Sequence, residues 1–245
     1  TVHKSVLDTS IGSIFHTIAW DEGDEVKAVN SAKIVSGTFS YADGLNLDVN
    51  YMGDIVETKA FTTPLSLSHP SDGSGIFKLS GATVEINDEG TTAFAGGDVY
   101  HPSGIDIAIT RGIEALPVTA GNNTVGEPLE KTAPNIEVTL TFPKKEAATA
   151  AFLDAFNNRN YKKLRVKFSS DAIGATGKNY ELTFNFPKVM VMEAPDFAQD
   201  TPLPTTVKFK VLKADSAPTP VMEHEVPYIT LNNTVDPLTT YPAVS

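Results

Sequence analysis

Apolar and polar residues alternate with a period of two in stretch after stretch of the chain. In "GLNLDVNY", Leu45, Leu47, Val49 and Tyr51 fall on one side, with Asn46, Asp48 and Asn50 on the other. The preceding "YADG" has turn chemistry, so 33–40 and 45–52 are expected to form a hairpin. "GIDIAITR" places Ile105, Ile107 and Ile109 on one face, and "NIEVTLTF" does the same with Ile136, Val138, Leu140 and Phe142. "KLRVKF" sets Leu164, Val166 and Phe168 against Lys163, Arg165 and Lys167. "YELTFNF" and "TVKFKV" repeat the pattern through Leu182, Phe184 and Phe186 and through Val207, Phe209 and Val211. One apolar and one polar face mark antiparallel strands with a single side on a core. Spread along the whole chain and separated by Gly, Pro, Asn and Asp, they predict a mainly β sandwich or half-barrel.

One stretch breaks the period. In "PKKEAATAAFLDAFNNRN", Ala148, Phe152, Ala155 and Phe156 share a helical stripe, which predicts a single flanking helix over about 143–158. Pro143 suits its first turn and Asn157–Asn158 its exit. A helix this short is marginal alone. Phe152 and Phe156 are therefore expected to dock it on a sheet, with small alanines allowing close approach. Two connections, 87–103 and 112–134, look long, and long connections in compact domains are usually functional. After Ala214 the alternation fades and five prolines follow. Residues 1–30 are expected to be an N-terminal extension, 31–213 the β domain, and 214–245 an extended Pro-rich arm outside the core.

The 245 residues include no cysteine, which excludes disulfides, zinc–thiolate centres and Cys nucleophiles. No apolar run reaches the roughly 18 residues of a membrane helix, and no membrane partner is expected. The start, "TVHKSVLDTSIGSIF", has no long apolar core, so no secretory leader is expected there. The net charge is −11, from 30 acidic and 19 basic residues, so the average surface repels nucleic acid.

Candidate chemistry is sparse. The five histidines lack metal-ligand spacing, and Glu223-His224-Glu225 is expected to be solvated. "WDEGDE" does not match a calcium loop, and no G-x-S-x-G elbow occurs. No cofactor, metal site or enzymatic activity is expected. "YKKLRVKF" carries four bases among aromatics, a possible platform for nucleic acid through Lys163, Arg165 and Lys167. The plainer reading is a solvated strand face, or one paired with an acidic neighbour.

The order of these elements resembles the major tail tube proteins of long-tailed bacteriophages. "VNSAKIVSGTFSYADGLNLDVNYMGD" is similar to the early hairpin of that family, and "KLSGATVEIN" with "GIDIAITRGIEAL" to the strands before its variable loop. "APNIEVTLTFPKKEAATAAFLDAFNNRNYKKLRVKF" looks like its strand–helix–strand unit. "NYELTFNFPKVMVMEAPDF" and "LPTTVKFKVLKA" look like its closing strands. The resemblance covers about 30–213 and is one of pattern and order; residues before and after match nothing in the family.

The resemblance implies a structural virion protein without enzymatic activity. Copies would join their sheets into a β-barrel ring, usually sixfold, and the rings would stack into the tail tube. Partners would be the chain itself and the tape measure, tail terminator and tail-tip proteins. Genomic DNA would pass through unbound. The location would be the virion tail, assembled in the host cytoplasm. Acids on polar strand faces then become candidates for the channel lining: Asp48, Glu85, Asp106, Glu137 and Glu181. From a different class, a β-sandwich carbohydrate- or receptor-binding module fits the same elements. A single Trp and thinly spread Tyr count against it.

Overall fold

The computed structural model describes residues 2–6, 16–21, 26–41, 44–53, 56–59, 81–114, 128–143, 147–172, 179–193 and 205–232. The alternating stretches become strands: β3 (Val26–Tyr41), β4 (Leu45–Met52), β6 (Ala82–Asp88), β8 (Gly104–Glu114), β9 (Leu129–Phe142), β10 (Lys162–Ala172), β11 (Asn179–Val191) and β12 (Thr205–Leu212). Shorter strands complete the set: β1 (Val2–Val6), β2 (His16–Asp21), β5 (Val56–Lys59), β7 (Val99–Tyr100) and β13 (Tyr228–Asn232). The helix, α1, spans Ala147–Asn158.

All of these strands belong to one sheet, ordered β2-β3-β8-β9-β12-β11-β10-β6-β7, with β4 and β5 on β3 and β13 on β11. Every pairing is antiparallel. The sheet rolls onto itself. Tyr41 of β3 stacks on Phe168 of β10 at 5.1 Å, and Phe39 meets the Phe184 ring edge-on at 4.9 Å. The strands holding these rings lie several places apart in the sheet, so they touch only because its two limbs face each other across a core. The result is the sandwich or half-barrel that the alternation predicts. The inward residues of the alternating strands, among them Ile107, Val138, Leu140, Val166, Val207 and Phe209, are fully buried.

β11 changes its inward parity. Val189 and Val191 face the core in one half, Phe184 and Phe186 in the other. The register shifts there: Lys162 faces Val189 and Leu164 faces Phe186. The extra residue is a bulge at Pro187–Lys188, where a residue without an N–H costs no ladder bond.

α1 spans the core's open end. Phe152, 1% exposed, lies 5.2 Å from the Tyr100 ring of β7, 6.1 Å from Phe142 of β9 and 5.6 Å from Phe209 of β12. Ala155 is buried and Phe156 packs on the same cluster. The helix starts later than expected, at Ala147; Pro143 follows the end of β9, and 144–146 lie outside the described residues. Its exit is a Schellman turn. Asn160 N–H donates to Ala155 O at 2.9 Å and Arg159 N–H to Phe156 O at 3.3 Å. Arg159 takes the left-handed position, φ 53°, which normally favours glycine. Arg159→Gly is expected to stabilise the fold by up to about 1 kcal/mol, seen as a higher urea midpoint with an unchanged slope.

The ends of the chain differ from expectation. The strand pattern crosses the boundary drawn at 30, because β3 runs unbroken from Val26, and β1 pairs with β13. Nor is 214–232 an arm. β13 pairs with β11, setting Ile229 opposite Phe184 and Leu231 opposite Leu182, and Ala214, Met222 and Tyr228 are buried. The prolines of this segment shape the connection to a short strand rather than keeping it off the core. Residues 233–245 lie outside the described residues. The second of the long connections also shrinks: β8 continues to Glu114 and β9 begins at Leu129.

Candidate functional site

Because the sheet is rolled, its outer surface presents two polar faces pointing away from each other. The first lies on β4-β3-β8-β9-β12. Register places its side chains in cross-strand rows. One row runs Asn50, Ser36, Thr110, Asn135. The next runs Asp48, Thr38, Ala108, Glu137, Lys210. The third runs Asn46, Ser40, Asp106, Thr139, Lys208. Three of the five expected lining acids, Asp48, Asp106 and Glu137, thus share one surface. Asp48 and Asp106 are exposed, and among the described residues neither forms an ion pair. Glu137 accepts a bond from Asn135 Nδ2 at 2.8 Å. Lys208, at the rim of the face, is drawn off to Glu193 at 3.3 Å.

The reverse side of β4 is apolar and sits at a sheet edge. Phe39 opposes Leu47, and Tyr41 opposes Leu45. Leu45 packs on the core, but Leu47 is 53% exposed and Tyr51 44%. Among the described residues β4 pairs only with β3. Here an apolar surface and a strand edge meet water together, a combination that isolated β proteins usually blunt with charge or cover.

The second polar face lies on β6-β10-β11-β13 and holds the other two acids. There they are not free. Glu85 takes Arg165 Nε at 2.5 Å, and Glu181 takes Lys167 Nζ at 3.0 Å. The basic stripe of β10 is thus paired with acidic neighbours rather than presented to phosphate. Cross-strand rows of Glu85, Arg165, Asn185, Tyr228 and of Thr83, Lys167, Thr183, Thr230 floor a cavity of about 380 Å3, walled by Pro220, Val221 and Glu223. With its two bases matched by acids, the cavity offers no open cation to an anion.

The remaining base of the stripe, Lys163, is not solvated at all. The segment 88–98 folds over it as a strap. Lys163 Nζ donates to Asp88 O at 2.7 Å and Gly90 O at 3.1 Å. The Phe94 ring lies 5.4 Å from that ammonium and 4.7 Å from the Arg165 guanidinium. Asp98 fastens the far end, accepting from Asn87 Nδ2 at 2.8 Å and Ala95 N–H at 2.7 Å. Lys188, at the β11 bulge, reaches Glu89 of the strap at 3.2 Å and Asp215 at 3.0 Å, and lies over the Tyr161 ring at 4.3 Å. The Asp215 hydrogen bond holds its pKa above the ordinary lysine value despite burial. Sequence reasoning marked 87–103 as a long connection but not as a strap over Lys163, because 88–98 has no periodicity and its anchors are single residues. A lysine after the lone proline of a strand, "FPKV", was the one local hint of a special position.

Among the described residues no group of three or more His, Asp or Glu sits together as a metal site would require. Glu223, His224 and Glu225 lie on the connection before β13, where the His224 ring packs edge-on against Tyr228 at 4.9 Å. Among the described residues no helix is long and apolar enough to cross a membrane. No protein-family model matches the chain, and no curated protein is detectably similar to it in sequence.

Proposed function

We propose that the protein is a self-assembling structural subunit of a phage-type tail tube. Copies would join side by side into a ring, probed first as a hexamer, and the rings would stack into a conduit for DNA. The observation that carries this reading is β4. One of its sides continues the acid- and hydroxyl-rich face, and the other leaves Leu47 and Tyr51 about half exposed at an edge that, among the described residues, pairs with β3 alone. A neighbouring copy seated there would cover the apolar side and satisfy the edge, and closing a ring removes such edges altogether. The polar side would then line the lumen with Asp48, Asp106 and Glu137. Glu85 and Glu181, tied to bases on the opposite face, leave the set of lining candidates. The tape measure, tail terminator and tail-tip proteins would be partners of the assembled tube, and the virion tail its location.

Negative-stain microscopy of concentrated protein is expected to show rings or tubes. A stable monomer at every concentration would overturn the reading and favour the binding-module alternative.

A conduit must not hold the polymer it passes. Fluorescence anisotropy with duplex DNA is expected to show no affinity at about 50 mM salt, where non-specific binders are strong. Asp48→Lys with Asp106→Lys is expected to leave tubes intact and to create DNA binding that fades as salt rises. Tight binding by the unaltered protein would refute the conduit.

A further inference from the structure

Among the described residues Lys163 is the one base of the β10 stripe that pairs with no carboxylate, and it is wholly buried. Directly opposite it in the β6 register stands Asn87, on the same face of the sheet. Register partners on one face bring their Cβ atoms to about 5 Å. The two side chains are also tethered to one residue. Asp88 N–H donates to Asn87 Oδ1 at 2.6 Å, while Asp88 O accepts from Lys163 Nζ at 2.7 Å. The other end of the carboxamide, Nδ2, is bound to the Asp98 carboxylate. These two bonds fix which atom of the amide is oxygen and which nitrogen.

A buried amine thus lies beside a carboxamide whose carbonyl oxygen is polarised by a backbone N–H and whose nitrogen rests on a carboxylate. We propose that Lys163 and Asn87 condense into an intramolecular isopeptide bond that rivets β10 to β6 under the strap.

In the step, neutral Nζ attacks Asn87 Cγ. The Nζ–Cγ bond forms, the Cγ–Nδ2 bond breaks, and one proton passes from Nζ to Nδ2 by way of Asp98, so that ammonia leaves. No oxidant, metal or co-reactant is needed. Asp88 N–H stabilises the charge that builds on Oδ1 in the tetrahedral intermediate. Desolvation favours the nucleophile: burial pushes the Lys163 pKa below its ordinary value, against the opposing pull of Asp98 and Asp88. Fixed neighbours in a folded chain supply the proximity that such a slow reaction requires. The inference is independent of ring assembly.

Intact-mass spectrometry of the full chain, with fragmentation of a protease digest, tests it. The expected result is a chain lighter by one molecule of ammonia and a branched peptide joining the segments that contain Lys163 and Asn87. A chain at the full mass of its sequence overturns the proposal, and so does loss of ammonia without the branched peptide. Lys163→Arg is expected to restore the full mass. Asp98→Asn, checked for its fold by circular dichroism, is expected to slow or abolish the mass loss; crosslinking at the unaltered rate would remove Asp98 as the proton carrier. Because the decisive measurement is made on the unaltered protein, it stands even if a variant fails to fold.

Discussion

Phe152→Asp is expected to abolish cooperative folding at room temperature. The ring it removes is the point at which α1 meets three parts of the sheet at once, through Tyr100, Phe142 and Phe209. Truncating a buried Phe costs roughly 3–5 kcal/mol through lost transfer energy and the cavity left behind. An unpaired carboxylate in the same place adds several kcal/mol of desolvation, or remains protonated at a comparable cost. Domains of ordinary stability have about 5–15 kcal/mol in all. The sum consumes most or all of that margin. Circular dichroism and a urea titration are the measurements, and Ala151→Asp is the control. Ala151 is the adjacent helical position and is exposed, so the same charge there is expected to shift stability by no more than about 0.5 kcal/mol. An unchanged melt for Phe152→Asp would mean that the helix is not held by its apolar stripe.

The elements legible in the sequence share one property: their signal is local. Ile105, Ile107 and Ile109 announce β8 because alternate residues of a strand must share a face. Phe152, Ala155 and Phe156 announce α1 because a docked helix repeats near every fourth residue. What the sequence hid is set by distant neighbours. β13 is five residues long and becomes a strand because β11 and β1 flank it, and the prolines before it, Pro218, Pro220 and Pro227, made the segment look like an arm. Lys163 alternates as a solvated residue should, yet the strap buries it through Asp88 O, Gly90 O and the Phe94 ring. The five acids looked equivalent on polar strand faces. Rolling the sheet sent Asp48, Asp106 and Glu137 one way and Glu85 and Glu181 the other. Cross-strand neighbours, not strand pattern, decided which of them met a base: Arg165 stands directly opposite Glu85, and Lys167 lies diagonally across from Glu181. Composition set the sign of the surface but could not divide it between faces.

Leu47→Lys combined with Tyr51→Lys is expected to yield a folded subunit that forms neither rings nor tubes. Both residues lie on the apolar side of β4, where Leu47 is 53% exposed and Tyr51 44%, so the isolated fold leaves about half of each in water. Lysine on an edge strand is the device by which natural β proteins refuse a neighbour. Each such side chain contributes roughly 1.5–3 kcal/mol when an interface covers it fully. Losing both weakens every seam by about 3 kcal/mol, more than a hundredfold in association constant. A closed ring repeats that loss at each seam, so assembly is expected to vanish at concentrations where the unaltered chain forms tubes. Sedimentation velocity reads the assembly, and a urea titration on the same preparation reads the fold. A stable monomer would place the seam on β4. Unaltered rings would place it on another edge, such as that of β1, which among the described residues pairs with β13 alone, and would take from β4 the weight given to it above. An unfolded variant would show that the exposed side of β4 already belongs to the core, and the seam would again have to be sought elsewhere.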